Sequence, residues 1–324
     1  MDLDELIELG DLDELVREVD RRVSASDWDG LLRLRDRCRA AVERGKQLWP
    51  VASLAEYRLA LDAPGRWAAA VIVDGAGRFA LGPLPEVAAS THRWEELAAH
   101  LAGGPLAAAV AHERAVRGED LRHDRRVPAG VFDPVPLALQ AWEPEYAVAT
   151  YEDDATHFPM PPLPPARAVD VPASRASRVP DADGVGALVQ LAYAWVSGSN
   201  GRCEALAVAG RAVDAVAALG VPRLRMAELS PPDALALMAW TAASGGAHGR
   251  RRGMAAGRFD AWWAAATLAG LGPDWTADEL REAVGELRWY VWDAAEPDTG
   301  WWFRLAVEDS ADGLAWAVSA SDAA

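Results

Sequence analysis

The residues best suited to chemistry sit in one short run, Ser244 to Gly253, which reads "SGGAHGRRRG". Arg250, Arg251 and Arg252 follow His248 and Ser244 in a glycine-rich stretch, and Arg258 lies two turns beyond Arg251 on any helix that starts near Gly249. A helix start already presents free amides and the positive end of the macrodipole, so each added cation there opposes it by about 0.3–1 kcal/mol. Such a placement predicts a negative counterpart. It is either a phosphate or carboxylate ligand, seated on glycine amides and guanidinium forks, or the chain's own Asp and Glu. The predicted anion-binding set is therefore Ser244, His248, Arg250, Arg251, Arg252 and Arg258. The run is not a P-loop, since the only lysine is Lys46, and it is not a dinucleotide fingerprint.

The glycines carry a second pattern. Gly245, Gly249, Gly253 and Gly257 recur every four residues, and Ala261, Ala265 and Ala269 continue the series. On one helix this makes a ridge with almost no side chain, which predicts close approach of a neighbouring backbone.

Other constellations fall short of a site. Asp153, Asp154 and His157 in "EDDATH" have no second ligand cluster and read as a solvated loop. His112 and Glu113 begin a zinc-helix pattern that fails at Val116. No serine stands in Gly-x-Ser-x-Gly, and Cys38 and Cys203 form no ligand spacing and have no nucleophile context. No metal or cofactor is expected from these residues, and they identify no catalytic residue. Proline pairs in "FPMPPLPP" predict a stiff polyproline spacer. Tryptophans crowd the C-terminal strands, and Trp289 and Trp302 are the predicted partner-binding pair if they prove exposed.

Elements must position these residues, and composition bounds them. A chain of 324 residues with 51% apolar content suits two domains. The net charge of −17 argues against nucleic-acid or anionic-membrane partners. No apolar run approaches the roughly 18 residues of a membrane span, and the acidic start "MDLDELIELGDLDEL" is unlike a signal peptide. A cytoplasmic protein is expected. Residues 1–120 read as helical hairpins in a bundle or irregular solenoid, with caps at Ser26 and Ser53. Residues 121–180 are broken by proline and read as a linker or wrapping segment. Residues 181–324 read as an α+β domain with strand, helix and strand in "EALAVAG", "RAVDAVAALG" and "RLRMAEL". It ends in a three-stranded antiparallel meander, "LRWYVWDA", "GWWFRLAVED" and "GLAWAVSA", turned at "EPDTG" and "DSADG". The predicted fold class is α+β, predominantly helical.

The stretches "TAASGGAHGRRRGMAAGRFDAWW" and "LRWYVWDAAEPDTGWWFRLAVEDSADGLAWAVSA" resemble the C-terminal region of an uncharacterised bacterial family of conserved proteins of unknown function. The resemblance covers about the last 120 residues and implies no activity. Two functions stay open. One is a cytoplasmic interaction or scaffold protein, without chemistry of its own, that binds an unidentified protein partner. The alternative is a small-anion or nucleotide-phosphate binding protein, with enzymatic use of the arginine cluster left open.

Overall fold

A computed structural model describes residues 3–172, 176–295 and 300–323. The chain forms two compact units: Met1–Val131 with Val148–Phe158, and Phe132–Ala147 with Pro159–Ala324. The proline-rich stretch 121–180 is thus shared between both units.

The first unit is helical. Its elements are α1 (Leu3–Leu9), α2 (Leu12–Ser24), α3 (Trp28–Glu43), α4 (Trp49–Asp62), α5 (Gly65–Ala70), α6 (Leu84–Thr91), α7 (Trp94–Ala98) and α8 (Gly104–Val116). A small antiparallel pair, β1 (Thr150–Tyr151) and β2 (Thr156–His157), completes it. α2 buries Leu15 and Val19 along its predicted stripe, and Asp11 caps it by accepting the Glu14 N–H at 3.1 Å. Two expected caps are corrected. α3 is capped by Asp27, because Ser26 adopts φ 53 and closes the preceding turn. α4 starts at Trp49 with Pro50 in its first turn, which places Ser53 and Glu56 inside the helix and buried. α4 packs against α2, α3 and α6, and so carries apolar residues on every side.

The second unit carries β3 (Arg167–Val169), β4 (Arg178–Val179), α9 (Ala182–Leu191), α10 (Tyr193–Gly198), β5 (Arg202–Ala209), α11 (Ala212–Ala218) and β6 (Leu224–Leu229). It continues with α12 (Pro231–Ala243), α13 (Met254–Leu268), α14 (Ala277–Glu286), β7 (Arg288–Asp293), β8 (Trp301–Asp309) and β9 (Leu314–Asp322). The predicted meander β7-β8-β9 forms, but it is the centre of a seven-stranded sheet ordered β3-β6-β7-β8-β9-β5-β4, not a sheet of three. Every pairing is antiparallel. The edge strands β3 and β4 have two or three residues each, too few to show alternation, and lie among the prolines. The "EPDTG" turn lies largely outside the described residues.

Alternation sorts the sheet into two faces. On one, α11 covers Val208, Ala306, Ala315 and Ala317. On the other, Trp301 stacks on Trp240 of α12, with ring centres 5.1 Å apart. α12 and α13 pair closely, as the small-residue ridge predicts: a Cβ at Gly257 would stand 2.3 Å from the Ala239 carbonyl oxygen. The ridge is shorter than expected. α13 begins at Met254, so Gly245 and Gly249 belong to the preceding loop, where each meets the other's backbone. Among the described residues, no helix is long and apolar enough to cross a membrane.

Candidate functional site

The arginine run joins α12 to α13 in a tight loop. The Ala243 carbonyl accepts both the Arg252 N–H at 2.8 Å and the Gly253 N–H at 3.3 Å. Gly253, at φ 89, is the N-cap residue of α13, a conformation that L side chains resist. The helix therefore starts after the three arginines. The expected conflict between their charge and the macrodipole's positive end is relieved by a loop the repeating glycines concealed.

The six predicted residues point to different partners. Ser244 is fully buried as the C-cap of α12; its hydroxyl donates to the Thr241 carbonyl at 3.0 Å and accepts from Trp195 Nε1 at 2.8 Å. His248 is at the surface, and its backbone N–H donates to Ser199 Oγ at 3.1 Å. Arg250 is exposed and Arg251 half-buried. Arg252 pairs with Asp260, one helix turn and a half into α13, and burial raises that carboxyl's pKa against the pull of Arg252.

Arg258 is the deepest of the set, 1% exposed, and it is closed off by the segment 132–147. Its Nε and Nη2 donate to the two oxygens of Glu143 at 2.7 and 2.6 Å, a bidentate pair. Its remaining donors reach the carbonyls of Pro136 at 2.7 Å and Ala138 at 3.1 Å. Glu143 also accepts from Trp262 Nε1 at 3.0 Å, from the Tyr146 hydroxyl at 2.8 Å and from the Gln140 N–H at 2.8 Å. Tyr146 is held well above its usual range, first by burial and then by the Glu143 charge. The carboxylate that Arg258 requires is thus internal. Sequence reading missed Glu143 because its partner lies 115 residues away. The signal present was Arg258 itself, one of the arginines that call for a negative counterpart.

Several of the remaining candidates have partners inside the chain. Trp289 is corrected as a surface residue: it is 1% exposed, and its Nε1 donates to the Val284 carbonyl at 3.0 Å. It sits on the helix-covered face of β7, where an even-numbered position would have faced the other way. Trp302 is half-buried beside the Arg304 guanidinium, which lies 5.8 Å from its ring and 5.5 Å from that of Trp292. Asp153 pairs with Arg58 at 3.1 Å, and Glu113 with Arg117 at 2.5 Å. Burial pushes the Cys38 thiol up to about 12 and the Cys203 thiol up to about 11, so neither is a ready nucleophile.

A feature that the sequence did not single out lies in the first unit, in the loop between α5 and α6. Glu56, inside α4, accepts the Gly77 N–H at 2.6 Å and meets Arg39 at 3.3 Å. Arg39 also donates to the Gly75 carbonyl at 2.9 Å. Held from below in this way, the loop turns Val73, Phe79 and Leu81 outward, Phe79 to 59% exposure. The Arg78 guanidinium lies 5.7 Å from the Phe79 ring and 5.8 Å from that of Trp49.

Comparison with known proteins adds a family. A model described as "Family of unknown function (DUF6183)" matches residues 13–312, and the chain belongs to that family. The match takes in the helical unit from residue 13 onward and, up to residue 312, the C-terminal stretches that carried the resemblance. No curated protein and no solved structure matches the chain.

Proposed function

We propose that this member of the family acts as a protein-interaction module, docking a protein partner through the loop between α5 and α6. The observation that supports this is the exposed Phe79 on a loop fixed by a buried glutamate. An aromatic anchor that is already ordered loses little freedom on binding, and aromatic residues dominate the binding energy of interfaces. Arg78, aligned with Phe79 and Trp49, adds a planar cation at the rim. The small-anion alternative has less to rest on, because Arg258 and Arg252 already hold carboxylate partners.

Affinity capture from the native host extract with the wild-type chain and with Phe79→Asp tests the reading. A specific protein is expected on the wild type, reduced at least about tenfold on the variant, with thermal stability unchanged since the ring is mostly in water. Equal recovery on both chains would remove the loop from consideration.

A further inference from the structure

A cavity of about 320 Å³ opens in the second unit where the start of α11 meets β6, β7 and β8. Its size is at the lower end of small-molecule sites. α11 has seven residues and is about 10 Å long. It packs on β5, β8 and β9 and leaves the β6 and β7 side of that face uncovered at the helix start. The floor is apolar, with Val213 and Met226; the rim carries Arg211, Arg288, Glu228, Glu308 and Tyr290.

Two features distinguish this rim from a finished ion-pair network. First, its arginines are loosely held. Arg288 is half exposed and reaches Glu228 at 3.5 Å and Glu308 at 3.8 Å; Arg211, 70% exposed, reaches Asp214 at 3.7 Å. The same group in Arg258 sits at 2.6 Å from its carboxylate. Second, the Tyr290 hydroxyl has no hydrogen-bond partner among the described residues, although its ring lies 5.4 Å from the Arg288 guanidinium. Glu308, by contrast, is fixed: its oxygens accept from the Ala212 N–H at 2.9 Å and from Ser310 Oγ at 3.0 Å. It presents an anchored negative charge opposite loosely paired positive ones.

The rim therefore holds two cations and two carboxylates over an apolar floor. A plain anion would meet the repulsion of Glu228 and Glu308, and a plain cation that of Arg211 and Arg288. A ligand with both charges on neighbouring atoms and an apolar tail satisfies every part. We infer that this cavity binds an α-amino acid with an apolar side chain. Its carboxylate lies on Arg211 and Arg288 with the Tyr290 hydroxyl, its ammonium on Glu228 and Glu308, and its side chain on Val213 and Met226. The inference is independent of the Phe79 loop.

Isothermal titration calorimetry on the full chain with L-leucine, L-methionine and L-phenylalanine tests it, alongside N-acetyl-L-leucine, which lacks the ammonium, and L-leucinamide, which lacks the carboxylate. Saturable binding of at least one free amino acid is expected. Loss of either charge should weaken leucine binding at least about tenfold. Arg288→Met, which keeps the apolar stem, and Glu228→Gln, at an exposed position, should each weaken binding by a similar factor without changing Tm. Tyr290→Phe should weaken it several-fold. No binding of any of the three up to about 10 mM, equal binding of the derivatives, or wild-type affinity in both Arg288→Met and Glu228→Gln would overturn the assignment.

Discussion

Removing the Arg258 guanidinium would leave the Glu143 carboxylate buried with no cation beside it, the situation in which a broken internal ion pair costs about 3–5 kcal/mol. Arg258→Met should lower the stability measured by urea denaturation by that order, and joining it to Glu143→Leu should cost less than the sum of the two. Glu56 provides a second test, in the helical unit. Burial raises its pKa above the ordinary glutamate value, against the opposing pull of the Gly77 N–H, Arg39 and Arg35. A raised carboxyl means that the folded chain binds more protons than the unfolded one. Its contribution to stability is fully present below the ordinary glutamate pKa and is lost as pH rises through the raised one. Glu56→Gln should flatten that part of the Tm–pH profile. Arg258 was legible as one of a group of arginines that calls for a negative counterpart. Its counterpart was not, because a carboxylate in a proline-rich stretch carries no local mark of the cation it serves.

At the scale of elements, glycines sort by what surrounds them. Gly257 faces the α12 backbone, so Gly257→Val should force the helices apart and destabilise the second unit by about 1–3 kcal/mol. Gly285, in α14, has nothing within 4 Å of an added Cβ. Gly285→Ala should instead stabilise by about 0.5–1 kcal/mol. Thermal melts of the two variants should move in opposite directions. Ser230 caps α12, and Thr276 with Glu279 forms the capping box of α14, a spacing that marks a helix start by local chemistry alone. The alternation of β8 marked it as a strand, but with one buried face, whereas Ala306 and Glu308 on its second face are buried too. The start of α13 was not readable, since a four-residue glycine period continues smoothly across the loop. β3 and β4 were hidden for another reason: their membership in the sheet is fixed by β6 and β5, not by their own residues.

At the scale of the molecule, the chain leaves the helical unit at 131, returns at 148 and leaves again after 158. A chain ending at residue 131 lacks the Tyr151 hydroxyl that donates to buried Glu86 at 2.6 Å, and the Ala149 and Glu152 carbonyls that receive Arg117 and Tyr57. It should show no cooperative melt by circular dichroism, whereas residues 1–158 should. Residues 159–324 retain Arg258 without Glu143. That fragment also lacks the segment that covers Arg258, so Arg258→Met should cost it much less stability than it costs the full chain. The same separation sets an order in time. Synthesis at roughly 5–20 residues per second places Arg258 roughly 6–23 s behind Glu143. Through that interval Trp142, Glu143 and Tyr146 have left the ribosome while the helix that seats them is still unmade. Slower elongation between the two positions is therefore expected to reduce soluble yield, although the finished protein would be the same.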